Sequence, residues 1–287
     1  MIMESLAFKI SCRVVLGSAL IYAVVSLIFF HLYTHPGRYL SGFTPAGSGL
    51  GFEAVKLITA DGVELAGWYI PNKKSKKAVI ACHGYPMDKG NILGMVSFLA
   101  KDFSVLLFDF RAMGESKGYF STGGEKEQRD IDAAIAFLRA KGFERAGLFG
   151  FSLGAAAILM SRNPAAAARV ADSSFADIGG ELNYVFEGFG PFRYPLVWLM
   201  KLWGRLLLGV NMDRVSPIRT IAGLTEPALL IHGDADTQVP VEASFRLKAA
   251  NPRVELWVIK GADHGQTRDA AGTEYESKVA GFFGKNL

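Results

Sequence analysis

Residues 146–154 read Ala-Gly-Leu-Phe-Gly-Phe-Ser-Leu-Gly, an apolar run that ends in Gly-x-Ser-x-Gly around Ser152 and leads straight into an alanine-rich stretch. A sharp strand-to-helix turn of this kind lifts one hydroxyl clear of the backbone, and glycines on either side leave room for it. A helix that starts behind Ser152 aims its unpaired N–H groups and positive dipole end at whatever the hydroxyl attacks. The chemistry is nucleophilic substitution, and it needs a base to take the hydroxyl proton and a third group to hold that base.

The chain has five histidines, so the base can be sought by elimination. His31 and His35 sit at the edge of an apolar N-terminal segment. His83 and His232 each precede a glycine at the end of an apolar run, where an imidazole commonly makes a structural hydrogen bond. His264 lies in Gly261-Ala262-Asp263-His264-Gly265, a loop directly after the apolar run 254–259. Open α/β sheets place their sites in the loops at strand C-termini, so His264 is the expected base. The acid stays open among Asp236, Asp234 and Asp172. The first two lie in residues 232–240 after the run 228–231, and the third follows the run 168–171. Asp234 reads as an ordinary turn aspartate. Asp263, adjacent to His264, is expected to bond to its own loop backbone.

Short apolar runs alternating with helical periodicity must position these residues. Runs at 54–58 and 63–70 flank Asp61-Gly62, a hairpin signal. Strands are expected at 78–82, 104–108, 146–149, 168–171, 228–231 and 254–259. Helices are expected at 92–100, 125–141, 242–250 and 274–283, with Ile131, Ala134, Ile135 and Leu138 on one face of the second. Strands this apolar imply a mostly parallel sheet covered on both faces.

Half of the 287 residues are hydrophobic and a fifth charged, which fits one large α/β domain with an apolar excess. The net charge is +4, and no aromatic-basic repeat marks a nucleic-acid binder. The basic run 73–77 is read as a solvated turn. Two cysteines, Cys12 and Cys82, give neither a disulfide framework nor metal-ligand spacing, and no cofactor or metal is expected. The apolar excess comes from the N-terminus, where residues 14–30 carry no charge. That length matches a hydrocarbon core of about 30 Å. Thr34-His35-Pro36-Gly37 offers no small-x-small cleavage site, so an uncleaved anchor ranks ahead of a cleaved signal and of a buried helix. Lys9 and Arg13 before the run, against Arg38 after it, favour a cytoplasmic N-terminus and a catalytic domain outside. The expected organisation is an anchor at 1–34, a Gly/Pro-rich linker at 35–51 and a catalytic domain at 52–287. Residues 178–212 interrupt the alternation with large apolar side chains, among them Tyr184, Phe186, Trp198 and Trp203. They read either as a satellite cluster or as a lid forming an apolar pocket.

Five motifs in order resemble the α/β-hydrolase superfamily, and within it serine aminopeptidase-like and lysophospholipase-like hydrolases, some membrane-associated. They are His83-Gly84-Tyr85-Pro86, Asp109-Phe110-Arg111-Ala112-Met113-Gly114-Glu115-Ser116, Gly150-Phe151-Ser152-Leu153-Gly154, residues 232–240 and Asp263-His264. The resemblance spans residue 52 to the C-terminus and implies the α/β-hydrolase fold with a helical lid. It implies a chain order of Ser152, Asp236, His264, with Asp236 as the acid because it stands three residues before Val239-Pro240. It also implies an oxyanion hole from the N–H groups of Tyr85 and Leu153. Ala112 departs from the family, which often has glycine there, in a turn remote from the proton relay. The expected activity is hydrolysis of ester or thioester bonds in small or lipid-like acyl substrates. The alternatives are an aminopeptidase-like amide hydrolase, with Glu181 or Glu187 binding an α-ammonium, and a non-catalytic membrane-tethered binding protein.

Overall fold

The computed structural model describes residues 2–287, with side chains from Phe8 onward. Eight strands run β1 (Glu53–Ile58), β2 (Glu64–Ile70), β3 (Ala78–Cys82), β4 (Ser104–Phe108), β5 (Ala146–Phe151), β6 (Ala166–Asp172), β7 (Ala228–Gly233) and β8 (Glu255–Ile259). They form one sheet in the order β1-β2-β4-β3-β5-β6-β7-β8. β1, β2 and β4 are joined antiparallel, β1 and β2 as the expected hairpin, and every other neighbour is parallel. The parallel strands β3 to β7 are buried along their full length, as their unbroken apolar sequences require.

The two-residue alternation of a strand sends neighbours to opposite faces, and each face has its own core. Ile80, Cys82, Leu106 and Phe108 pack with Ile131, Ile135 and Leu138 of α3 (Glu127–Ala140) and with α4 (Leu153–Met160). Every residue of α4 is buried, and its three consecutive alanines, Ala155 to Ala157, let the first turns pack close to the sheet before Ile158, Leu159 and Met160 fill the core beyond. On the other face Val79, Ala81, Val105 and Leu107 pack with α2 (Lys89–Val96) and α10 (Thr273–Asn286). α2 starts three residues earlier than the periodicity implies. Asp88 and Asn91 form a reciprocal capping box, and a 3-10 turn (Ser97–Lys101) takes over at the far end.

The segment 178–212 forms α5 (Ile178–Val185), a 3-10 turn (Glu187–Phe192) and α6 (Arg193–Leu207). It holds a third, smaller apolar cluster of Leu182, Phe186, Leu196, Val197, Met200, Val210 and Met212. Phe30 of α1 (Ile2–Thr34) completes it. Within α1, Phe8–Thr34 is long and apolar enough to cross a membrane. The Gly/Pro-rich residues 35–51 lie against the sheet domain: the Arg38 guanidinium donates to the carbonyls of Gly114, Ser116 and Gly118, and Ser41 N–H donates to Asp88 Oδ2 (2.9 Å). The remaining helices are α7 (Pro217–Ile221), α8 (Glu242–Ala250) and α9 (Thr267–Ala271).

The turn after β4 is held by charge. Arg111 bridges Asp61 (2.8 Å) and the buried Asp130 (2.7 Å), which fixes the guanidinium as a fork between two carboxylates. Its neighbour Ala112 sits at φ +62°, a left-handed conformation that a Cβ disfavours. The glycine that resemblance leads one to expect there has a backbone reason. Ala112→Gly is therefore expected to stabilise the protein by about 1 kcal/mol, read as a rise in Tm of about 2–3 °C.

Candidate active site

Ser152 closes β5 and opens α4. Its backbone stands at φ +53°, ψ −115°, a strained turn for a residue with a side chain, and its N–H is held by the Asp172 carbonyl (2.9 Å). The two motif glycines are dictated by close approach. A Cβ on Gly154 would lie 2.2 Å from the Cys82 carbonyl oxygen, and one on Gly150 would lie 2.4 Å from that of Gly154. The turn can be this tight only because nothing projects from either position.

His264 follows β8 in the loop before α9. Its Nδ1 lies 2.8 Å from Asp236 Oδ2, and its ring packs on Phe151 at 4.8 Å between centroids. Phe151, the variable residue before the serine, thus positions the imidazole as well as the turn. Asp236 is 8 % exposed and sits after β7. Its Oδ1 accepts N–H bonds from Gln238 (2.9 Å) and Val239 (2.8 Å), and His232 Nε2 approaches Oδ2 at 3.4 Å. Burial works to raise this carboxyl. The hydrogen bonds from His232 and His264, with that of Val239, outweigh it and hold the group well below the usual carboxylate range.

The remaining candidates are placed elsewhere. Asp172 is fully buried and accepts from Thr267 Oγ1 (2.6 Å) and Tyr275 Oη (2.7 Å), not from His264. Asp263 accepts from Thr237 and from the His264 N–H, and Asp234 from the Gly261 N–H. His83 Nδ1 lies 2.7 Å from the Gly84 carbonyl, and its Nε2 accepts from Phe110 N–H (2.9 Å). That pairing requires a neutral ring with its proton on Nδ1, and burial lowers its proton affinity in the same direction. His232 lies between Ser244 Oγ (2.6 Å) and the Val239 carbonyl (2.9 Å).

Ser152, Leu153, Tyr85 and His264 line one cavity of about 810 Å³. Among the described residues His264 bonds to Asp236 and Asp263, and no hydrogen bond joins it to Ser152 Oγ. The N–H groups of Tyr85 and Leu153 have no partner among the described residues, so both are free to donate. Glu181 and Glu187 also border the cavity. Burial, and then the nearby Asp236 and Asp177, push the Glu181 carboxyl up to about 8. Among the described residues no group lies in a cluster suited to a metal ion. Motif reading had no access to the second carboxylate, Asp172, as a clamp: its partners Thr267 and Tyr275 lie about a hundred positions away, and hydroxyl residues at that distance carry no local signal.

Residues 79–274 match the sequence profile of the alpha/beta hydrolase family. The chain belongs to that family. It is 30 % identical over 275 residues to the uncharacterized protein YfhR of Escherichia coli K12, covering 90 % of this chain and 88 % of YfhR. It is 31 % identical over 264 residues to the uncharacterized protein Rv2307c of Mycobacterium tuberculosis, covering 86 % of each. Among solved structures, the Pyrococcus furiosus esterase Pf2001 superposes with a TM-score of 0.73 at 29 % identity, covering 88 % of this chain and 98 % of the esterase. Family membership and an esterase of this likeness support a hydrolase.

The raised Glu181 carboxyl has a consequence for stability. Its folded value lies above the ordinary 4.5, so between about pH 4.5 and 8 the native chain keeps a proton that the unfolded chain has lost. Stability attributable to this group therefore falls as pH rises through that window and is flat below it. Glu181→Gln is expected to exceed the native protein in stability at pH 8 by on the order of 2 kcal/mol and to match it near pH 4. Thermal unfolding at the two pH values checks this.

Proposed function

We propose that this hydrolase cleaves esters of apolar acyl groups through Ser152, His264 and Asp236, and that α1 anchors it in a membrane. The observation that carries the reading is convergence. A strained, half-buried serine, a histidine bonded to a depressed carboxylate and two backbone N–H groups without a partner among the described residues border one cavity. Ser152 Oγ attacks the substrate carbonyl as His264 takes its proton on Nε2. Asp236 accepts from Nδ1–H, fixes the tautomer and stabilises the imidazolium. The N–H groups of Tyr85 and Leu153 hold the oxyanion, each such donor being worth ~10²–10³ in rate. The C–O bond to the leaving group then breaks, and His264 returns its proton to the departing alcohol. A water, deprotonated by His264, cleaves the acyl-enzyme and restores Ser152.

The cavity wall favours an apolar acyl group, with Phe30, Leu182, Met200 and Met212 among its residues. A second reading, an aminopeptidase-like amide hydrolase, draws on Glu181 and Glu187 at the cavity border. Glu181 has a raised proton affinity and is largely uncharged at neutral pH, which makes it a poor preformed ammonium anchor. A fluorophosphonate probe and a panel of p-nitrophenyl esters beside aminoacyl amides test the two. Labelling with ester turnover is expected. Turnover of the amides alone would transfer the assignment to the second reading, and no labelling would leave only a binding role. Anchoring predicts that the full-length protein stays with membranes in alkaline carbonate, and release into the supernatant would sink it.

A further inference from the structure

One wall of the cavity that holds Ser152 and His264 is built by the N-terminal helix. Phe30, Leu32, Tyr33 and Thr34, from the last turns of α1, border it, followed by Pro36 and Gly37. Composition marks this helix only as apolar, but its end is docked at several points. Trp203 Nε1 of α6 donates to Ser26 Oγ (2.9 Å), and Tyr22 Oη to the Phe192 carbonyl. Phe29 meets Phe186 edge-on at 5.0 Å between centroids. Ser121 N–H donates to the Thr34 carbonyl (2.7 Å). Tyr85 Oη donates to the Leu32 carbonyl (3.1 Å), which ties the loop carrying one of the free N–H groups to the helix. Phe30 is 3 % exposed and packs with Leu182, Met200 and Met212, which border the same cavity. The other side of the helix faces outward: Leu20, Ile21 and Ile28 are more than half exposed.

We propose that Phe30 and Tyr33 are specificity-determining residues, the end of α1 forming the part of the pocket that receives the substrate's apolar chain. This rests on the ester-hydrolase reading above. A tether needs no contact with the site it carries, whereas here an aromatic ring of the helix is buried between the cavity and the α5–α6 insertion. A polar substrate group laid against Phe30, Leu182, Met200 and Met212 would lose water without gaining a partner. A methylene laid there gains about fourfold in binding, so the depth of this wall sets which chain length is preferred.

The test uses full-length protein in detergent micelles and p-nitrophenyl esters of graded chain length, with fluorophosphonate labelling measured alongside. Phe30→Ala deepens the wall and is expected to move the chain-length optimum of kcat/KM to longer chains by about two carbons or more, and Phe30→Trp to move it to shorter ones. Tyr33→Ala moves it in the same direction as Phe30→Ala. The outward-facing Leu20→Ala leaves it where it is. A merely structural role for α1 would depress all chain lengths in parallel. Should Phe30→Ala not fold, Tyr33→Ala decides, since Tyr33 is 39 % exposed. An unmoved optimum in the Phe30 and Tyr33 variants that still label overturns the proposal. Failure of the native protein to label or turn over any ester would defeat the ester-hydrolase reading instead.

Discussion

Ser152→Ala is expected to abolish fluorophosphonate labelling and to lower ester turnover by ~10⁴–10⁶, the scale of loss when a triad serine is removed. The substitution is a clean one. Alanine keeps the Cβ and the backbone, so the Ser152 N–H bond to the Asp172 carbonyl and the start of α4 are retained. Folding should be unaffected, because the hydroxyl makes no hydrogen bond among the described residues that its loss would orphan. Circular dichroism and Tm should overlay the native protein while activity disappears. Labelling of the variant at the native rate would remove Ser152 as the nucleophile and with it the reading of the turn.

Asp236→Asn should cost ~10⁴ in kcat, because an amide facing Nδ1 favours the tautomer with its proton on Nε2, the nitrogen that must accept from serine. The comparison that matters is with Asp172→Asn. Both carboxyls are buried at strand C-termini, both lie in the order that precedes His264, and charge alone does not separate them. Geometry does: Asp236 Oδ2 is 2.8 Å from His264 Nδ1, whereas Asp172 is taken up by Thr267 and Tyr275. Asp172→Asn is thus expected to lower Tm and spare most of the turnover number. The reverse pattern, with Asp172→Asn inactive at native stability and Asp236→Asn active, would exchange their roles.

What could be read from the chain before its fold was known follows from which signals are local. The parallel strands were legible because burial on both faces demands continuous apolar runs, and β3, β4 and β7 show how closely those runs mark the strands. The turns that bring Ser152 and His264 to one cavity were legible because their loops carry short sequence patterns tied to a backbone shape. The start of α2 was missed although Asp88-x-x-Asn91 signals it, since the apolar periodicity begins only at Ile92. Residues 35–51 read as a linker from glycine and proline, yet Arg38 secures them to carbonyls some 76 to 80 positions away. No hydropathy pattern encodes such a partner. The same holds for Phe30: its neighbours Leu182, Met200 and Met212 come from an insertion more than 150 residues later, so the helix was legible as apolar but not as a cavity wall.

The position of Asp172 bears on how the turns that carry Ser152 and His264 are held together. Its carbonyl accepts from the Ser152 N–H, and its carboxyl group accepts from Thr267, which opens the short helix beyond His264, and from Tyr275 in the first turn of α10. One residue is therefore a common datum for both.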